Sequence, residues 1–462
     1  MTKNFITTNA PLYIEKMRAE LSGKELYAHV ITFGCQQNEA DSERILGTLL
    51  SIGYKKCEDP LSADVVIVNT CAIREHAELK ALSLLGSFKS NKRRNPDFIL
   101  GICGCMANEP HIADKLKKDF HYVSFTLEPG RYELIPELIY RAYFEKKRSF
   151  LFGTEIPEIV EDIPVYRVSQ HKAWVSIMYG CNNFCTYCIV PYVRGRERSR
   201  CSHDIIRECE ELVRAGVKEI TLLGQNVNSY KADLTFPALL EKIAEIDGDF
   251  IIRFMTSHPK DTSFELIGVM AKHKPKIAPF FHLPLQSGSD KVLKSMNRTY
   301  TKEKYLQIAN MLKEQIPDIA LSTDVIVGFP GESEEDFLDT LEVIEKVRFD
   351  NVYAFIYSER EGTRAAKMEN KVDKAVRHSR LDRLLEIQDK IAIERNLPYE
   401  GKIIRVLVDS SDFRQGKTIY NGRSLTGKLV HFTSERECIG ELVNVKINKA
   451  NAFDLIGEIT EK

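Results

Sequence analysis

Cys181, Cys185 and Cys188 lie in the stretch Met178-Tyr-Gly-Cys-Asn-Asn-Phe-Cys-Thr-Tyr-Cys-Ile-Val-Pro191, separated by three residues and then two. That spacing lets three thiolates meet on one cubane cluster while its fourth iron keeps no protein ligand. An iron with open coordination can hold the amino and carboxylate groups of a small molecule such as S-adenosylmethionine. The rival reading is a structural zinc site, which normally needs four ligands in tetrahedral geometry. The nearest candidates for a fourth, Cys201 and His203, lie beyond an Arg-rich segment and are poorly spaced. An accidental cluster of core cysteines fits badly, because Asn182, Asn183 and Thr186 make the segment polar.

The chain upstream alternates strand and helix. Strands read at Tyr27–Phe33, Asp64–Asn69 and Phe98–Ile102, with helical patterns over 36–53 and roughly 72–90. Such alternation predicts a mostly parallel sheet with helices on its faces. Cys35, Cys71 and Cys105 each fall just past a strand, where an open α/β sheet collects its ligands. They follow Gly or Thr in loops, so ligands fit better than three small core residues. Cys103 lies within the apolar strand and reads as packing. Residues 1–25 read as a loose arm or surface helix, 26–150 as the first domain, and 151–167, with Pro157 and Pro164, as a linker.

A second alternating unit spans 168–395, with strands at Trp174–Met178, Val217–Leu223, Phe250–Met255, Phe280–Leu283, Ala320–Val327 and Val352–Tyr357. Six βα repeats predict a partial (β/α)6 barrel, open on one side, with its site at the carboxyl ends of the strands. The three-cysteine loop leaves the first of them. Residues 380–395 read as a charged helix. Beyond it, 396–462 shows short alternating strands punctuated by Gly422, Gly427 and Gly440, the pattern of a small antiparallel β-barrel. The overall class is α/β with that barrel appended.

The whole chain has 462 residues, 43% apolar and 28% charged, with a net charge of −1, so bulk charge does not argue for nucleic acid. The C-terminal stretch itself holds ten Lys/Arg and nine Asp/Glu. No apolar run approaches the roughly 20 residues that span a bilayer, so no membrane is expected. Eleven cysteines without a secretion signal suggest a reducing, cytoplasmic setting. Arg194, Arg196, Arg198 and Arg200 alternate after the cysteine loop, as if lining one face of an extended segment. They could hold RNA phosphates or a cofactor carboxylate, or form a solvated face.

Taken together these motifs resemble the radical S-adenosylmethionine methylthiotransferases. Cys181–Cys188 resembles that family's cluster loop. Gly-Cys35-Gln-Gln-Asn-Glu, Asn-Thr-Cys71-Ala-Ile-Arg-Glu and Gly-Cys105-Met-Ala match its N-terminal auxiliary-cluster segments. The C-terminal barrel is similar to a TRAM domain. Leu223–Tyr230, Met255–Pro259 and His282–Gly288 resemble the tRNA-acting, MiaB-type branch. The resemblance implies two [4Fe-4S] clusters, S-adenosylmethionine, and 2-methylthiolation of isopentenylated adenosine beside the anticodon of tRNA. One cluster would reduce S-adenosylmethionine; the other would carry the sulfur, which a second S-adenosylmethionine methylates. An electron donor such as a flavodoxin or ferredoxin and an iron–sulfur carrier are the implied partners.

One departure is visible. The Gly-Glu-Glu segment that many radical enzymes use for the methionyl amine is missing, and Gln225 and Asn226 stand as replacements. Tyr187 is placed as the adenine-facing aromatic, with Gly328 and Gly331 as a backbone wall around the nucleoside. Methylthiolation of a ribosomal protein and a non-catalytic iron–sulfur RNA-binding role are the competing functions.

Overall fold

A computed structural model of the chain describes residues 9–72, 75–153, 159–414 and 416–460. Residues 1–8 of the expected arm and 154–158 of the expected linker, including Pro157, lie outside the described residues, as do Ile73 and Arg74 of the second cysteine segment. The chain forms two compact units. Unit 1 takes 1–168 with 178–182 and 188–198; unit 2 takes 169–177, 183–187 and 199–462.

Unit 1 opens with α1 (Ala10–Glu20), β1 (Tyr27–Thr32), α2 (Gln36–Ile52), β2 (Lys55–Lys56) and β3 (Val65–Thr70). It continues with α3 (Glu75–Ser87), α4 (Lys89–Arg94), β4 (Ile99–Gly104), α5 (Pro110–Asp119), β5 (Phe125–Leu127), α6 (Ile135–Tyr143) and β6 (Ser149–Phe150). The six strands pair in parallel in the order β2-β1-β3-β4-β5-β6. β3 is buried along its whole length, as its Val-Val-Ile-Val run requires of a strand covered on both faces. Ile45, Leu49, Leu138 and Ile139 of α2 and α6 pack on one face of the sheet. Ala81, Leu85, Ile112 and Leu116 of α3 and α5 pack on the other. Strand order therefore reverses between β1 and β3, which makes their carboxyl ends the switch-point crevice.

Several sequence expectations shift here. The helix read over 72–90 is two helices, and the third strand runs on to Gly104. β5, β6, α5 and α6 were not anticipated: the strands are too short for periodicity to stand out. The second half of the stretch read as a linker lies along α2. A Cβ on Gly47 would sit 2.3 Å from the Pro164 carbonyl oxygen, and Arg167 pairs with Glu43 at 3.0 Å.

Unit 1 also takes β8 (Met178–Tyr179) and α7 (Val190–Val193), and β9 (Arg198–Ser199) follows them in the chain. Unit 2 begins with β7 (Lys172–Ser176) and goes on through α8 (Ser202–Arg214), β10 (Glu219–Leu223), α9 (Phe236–Ala244), β11 (Ile251–Phe254) and α10 (Phe264–Lys272). Then follow β12 (Phe280–His282), α11 (Asp290–Ser295), α12 (Lys302–Gln315), β13 (Ala320–Val327), α13 (Glu334–Val347), β14 (Asn351–Ile356) and α14 (Lys374–Asn396). β7, β10 and β11 form one parallel sheet and β12, β13 and β14 another. A parallel bridge between Ile252 and Ile277 joins them, giving the six-stranded partial barrel. Side-chain caps at Thr235, Ser263, Ser289, Thr301 and Ser333 fix where five of its helices start. α14 begins at Lys374, earlier than its charged pattern suggested.

The chain ends in β15 (Ile403–Arg414), β16 (Lys417–Ser424), β17 (Leu429–Thr433), β18 (Leu442–Ala450) and β19 (Asp454–Ile459), closed in the order β15-β16-β17-β19-β18. Val406, Val430, Phe432, Val445 and Leu455 fill it. Its β16–β17 turn docks on the amino-terminal end of the partial barrel. Arg253 donates to the carbonyls of Ser424 and Leu425, at 2.8 and 2.9 Å, and Phe280 lies against Gly427. Lys428 pairs with Asp350 at 2.7 Å and Lys172 with Asp409 at 2.5 Å. Among the described residues no helix is long and apolar enough to cross a membrane.

Candidate iron–sulfur and cofactor sites

The N-terminal cysteines meet at the switch point. Cys35 is exposed at the start of α2, Cys71 follows β3 and Cys105 follows β4, the last two buried at 3% and 2% exposure. Gly34 has φ +132°, and a Cβ there would lie 2.8 Å from the Cys71 Cβ, so the first two segments touch. The Cys105 N–H donates to the Thr70 carbonyl at 2.9 Å, which ties the second to the third. Asn38 reaches across, its Nδ2 donating to the Thr70 carbonyl at 2.8 Å and the Phe33 carbonyl at 3.1 Å. Burial pushes the Cys105 thiol up to about 11 against the pull of Arg194, and Cys71 and Cys35 push the same way. Cys103 points into the α2/α6 core, fully buried, as its place in the apolar strand predicted.

Arg194 faces these cysteines from the segment after the three-cysteine loop. Its Nε donates to Cys105 Sγ at 3.0 Å, and its Nη2 donates to Asn38 Oδ1 at 3.0 Å and Asp41 Oδ2 at 3.1 Å. Among the described residues no three His, Cys, Asp or Glu side chains converge closely enough to hold a single metal ion. A single ion gathers its thiolates within about 2.3 Å of itself, whereas a cubane spreads them to separate corners. Three thiols on neighbouring strand ends, with a buried cation alongside, are a donor set that fits a cluster.

The loop 181–188 is divided between the units. In unit 1, Gly180 has φ +76° and a Cβ there would fall 2.0 Å from the Arg196 carbonyl oxygen, so glycine is required; Cys181 N–H donates to the Gly195 carbonyl at 3.1 Å. In unit 2, Thr186 N–H donates to Met296 O at 3.0 Å, and Asn297 Nδ2 donates to the carbonyls of Asn183 and Phe184, at 3.0 and 3.1 Å. Arg298, 8% exposed, places Nη1 3.6 Å from Cys185 Sγ and donates through Nη2 to Pro284 O at 2.9 Å. Nothing near Arg298 in sequence marks it, since it lies 113 residues from Cys185.

Loops at the carboxyl ends of β10 and β11 gather polar groups. Asn226 is 1% exposed and donates through Nδ2 to Asp261 Oδ2 at 2.7 Å. Its Oδ1 is buried without a protein partner, as are Asn228 Oδ1 and Ser257 Oγ. Three orphaned buried polar atoms on these two loops fit a polar ligand. Burial pushes His258 down to about 2, with Arg298 and Lys260 adding to the effect, so the ring is neutral and its Nδ1 accepts the Lys260 N–H at 3.1 Å. Thr256 holds a left-handed backbone there, at φ +64°, a strain typical of binding loops. Asn228, Ser257 and His258 fall within Leu223–Tyr230 and Met255–Pro259, segments that the sequence marked only as resembling the tRNA-acting branch. Gln225 is half-buried beside them.

Tyr187 packs against Val292, Met296, Phe329 and Tyr357. Gly328 and Gly331 have φ +72° and +82°. Their amides bond within the protein, Gly328 N–H to Glu332 Oε2 and Gly331 N–H to the Asn370 carbonyl, at 2.7 and 2.6 Å.

The arginine row is corrected. Arg194 caps the end of α7 in helical backbone and Gly195 turns the chain at φ +76°, so the segment is not extended and the four side chains do not share a face. Arg194 and Arg200 are each 5% exposed, and Arg200 donates to Ser176 O and Glu208, both at 2.7 Å. Neither offers a solvent face to phosphate. Arg196 is exposed, and Arg198 is half-buried over the Tyr179 ring.

Three family models match the chain: the Radical SAM superfamily over 175–344, the Uncharacterized protein family UPF0004 over 27–128, and the TRAM domain over 398–460. Among solved structures, the radical S-adenosylmethionine methyltransferase TsrM from Kitasatospora setae aligns with a TM-score of 0.54 at 13% identity, covering 74% of this chain and 75% of that one. That likeness shows the fold alone. The tRNA-2-methylthio-N(6)-dimethylallyladenosine synthase of Thermoanaerobacter sp. (strain X514) is 48% identical over 452 residues, 97% of this chain and 96% of the relative. The enzyme of the same name from Clostridium perfringens (strain SM101 / Type A) is 48% identical over 442 residues, 95% of this chain and 98% of the relative. Fold and cysteine loop define a radical S-adenosylmethionine enzyme, a class that implies a [4Fe-4S] cluster and S-adenosylmethionine. With relatives this similar along almost its full length, the chain belongs to the tRNA-2-methylthio-N(6)-dimethylallyladenosine synthase family of methylthiotransferases.

Proposed function

We propose that this protein replaces the C2 hydrogen of N6-isopentenyladenosine, next to the anticodon of tRNA, with a methylthio group. The observation that carries this reading is the convergence of Cys35, Cys71 and Cys105 at the switch point, in a chain that also holds the radical cysteine loop. An aromatic C–H is neither acidic nor electrophilic enough for side-chain chemistry, so a cofactor must act while the protein positions it. When bound, the cluster at Cys181, Cys185 and Cys188 supplies an electron to S-adenosylmethionine, and the one at Cys35, Cys71 and Cys105 supplies the sulfur. Two S-adenosylmethionine molecules would be needed, one as the radical source and one as the methyl donor.

The chain's own residues have distinct tasks. Asn226, Asn228 and Ser257 present buried polar atoms for the amino-acid end of S-adenosylmethionine, in place of the missing acidic segment. Tyr187 and the turn 328–331 bound its nucleoside side. Neutral His258 keeps a second positive charge away from Arg298, beside Cys185. The C-terminal barrel and Arg196 are the candidates for RNA contact. An electron donor of the flavodoxin or ferredoxin kind and an iron–sulfur carrier complete the cycle in the cytoplasm.

The test is anaerobic reconstitution with an isopentenylated anticodon stem-loop. Changing Cys35, Cys71 and Cys105 to Ala should leave 5′-deoxyadenosine formation measurable and stop methylthio formation. Changing Cys181, Cys185 and Cys188 to Ala should abolish both. Methylthio product from the first variant would refute the sulfur-carrier role.

A further inference from the structure

Arg194 is a buried cation whose contacts do not favour its one carboxylate partner. A guanidinium beside a lone carboxylate usually forms two parallel bonds to it. Here only Nη2 meets Asp41, while Nε turns to Cys105 Sγ and Nη2 also meets Asn38. Asp41 is 0% exposed and accepts a second bond from Gln37 Nε2 at 3.1 Å. Asn38 in turn takes a contact from Cys35 Sγ at 3.5 Å and holds the Thr70 carbonyl, one residue before Cys71. One side chain thus reaches, directly or through Asn38, the segments of all three cysteines. It comes from the stretch that begins at Cys188, six positions upstream.

We propose that Arg194 is a positioning residue for the N-terminal cluster, fixing Cys105 and Asn38 and raising the cluster's reduction potential through its charge and its N–H to sulfur. The inference rests on the reading of Cys35, Cys71 and Cys105 as cluster ligands. The physical basis is general: net charge, hydrogen bonds to sulfur and burial set the potentials of iron–sulfur clusters. A fixed positive charge in a poorly solvated crevice stabilises the reduced, more negative state. Asp41 opposes it, so the two residues should act with opposite sign.

The experiment uses the full chain carrying Cys181→Ala, Cys185→Ala and Cys188→Ala, so that any cluster signal comes from the N-terminal set. After anaerobic reconstitution, iron and sulfide are counted and the midpoint is read by redox titration followed by electron paramagnetic resonance. Arg194→Gln should lower the midpoint by a tenfold or larger shift in the reduction equilibrium, about 59 mV for a one-electron couple. Asp41→Asn keeps the side chain's size and should shift it upward. Arg194→Gln protein that keeps its circular dichroism but binds clearly less iron supports the positioning role. If Arg194→Gln does not fold, Asp41→Asn decides the charge effect. Full iron with an unmoved midpoint in the variants that fold overturns the proposal. Absence of any cluster while Arg194 is intact overturns the ligand assignment, and with it the inference.

Discussion

Arg253→Met tests how the C-terminal barrel is held on unit 2. Arg253 Nε donates to Glu219 Oε2 at 2.6 Å, with the two side chains 9% and 5% exposed. Burial alone would raise the Glu219 carboxyl, but Arg253 and Lys172 outweigh it and hold the group below its usual value. The substitution leaves Glu219 buried with Lys172, at 3.7 Å, and the weaker influence of Arg423, and removes the guanidinium donor from the Ser424 and Leu425 carbonyls. Breaking one side of a buried pair costs about 3–5 kcal/mol, because the remaining charge stays desolvated. For a unit of this size that corresponds to a fall in Tm of roughly 5–9 °C. The accompanying change is local: hydrogen exchange should rise first in the turn around Ser424–Lys428, and protease should cut near residues 396–402. Adding Glu219→Gln removes the stranded charge and should restore at least about 1 kcal/mol. Calorimetry and exchange on the three variants measure this. A Tm within 1–2 °C of the parent for Arg253→Met, roughly under 1 kcal/mol, would refute the reasoning, as would equal losses in single and double variants.

His258 gives a pH signature. Its folded value near 2 lies below the unfolded one, so the unfolded chain binds the extra proton and stability falls as pH drops below about 6.5. Between pH 7.5 and 5 the loss should be about 2 kcal/mol from this group, facing Arg298 and Lys260, and His258→Gln should flatten that slope in urea titrations. Gly34→Ala would put a Cβ 2.8 Å from that of Cys71 on a backbone at φ +132°, a strain of about 1–3 kcal/mol. Reconstituted Gly34→Ala protein should lose the iron of the N-terminal cluster while still cleaving S-adenosylmethionine, and a full iron count would count against that geometry. For substrate choice, burial of a five-carbon tail at ~0.8 kcal/mol per CH2 contributes up to roughly 4 kcal/mol. A stem-loop with the isopentenyl group should then surpass the bare one in kcat/KM by tens-fold to several hundred-fold, roughly; equal values would exclude this substrate.

Much of the site was legible because thiols are few and chemically costly to scatter in loops. Reading Cys181, Cys185 and Cys188 as one candidate set needed no tertiary knowledge, since it rests on their spacing in the sequence alone. Cys35, Cys71 and Cys105 were legible for a different reason: each ends a strand, and parallel neighbours bring their ends to one edge. Arg298 was not legible. Its link to Cys185 exists only because the barrel folds the chain after β12 back over the loop. The arginine row misled because alternation in sequence implies a shared face only in extended backbone, and the helical cap at Arg194 with the Gly195 turn breaks it.

The sequence by itself determined the α/β class, the partial barrel and a small C-terminal β-barrel, and it picked out the cysteines proposed as cluster ligands, all of which depend on local periodicity or spacing. Tertiary structure alone decided what surrounds those ligands. It set Arg194 against Cys105, left Asn226, Asn228 and Ser257 with orphaned polar atoms, and clamped Ser424 and Leu425 to Arg253. These relations join residues far apart in the chain. Which buried charge faces which sulfur or carbonyl is fixed by the exclusion of water from a packed crevice, and no local pattern records that.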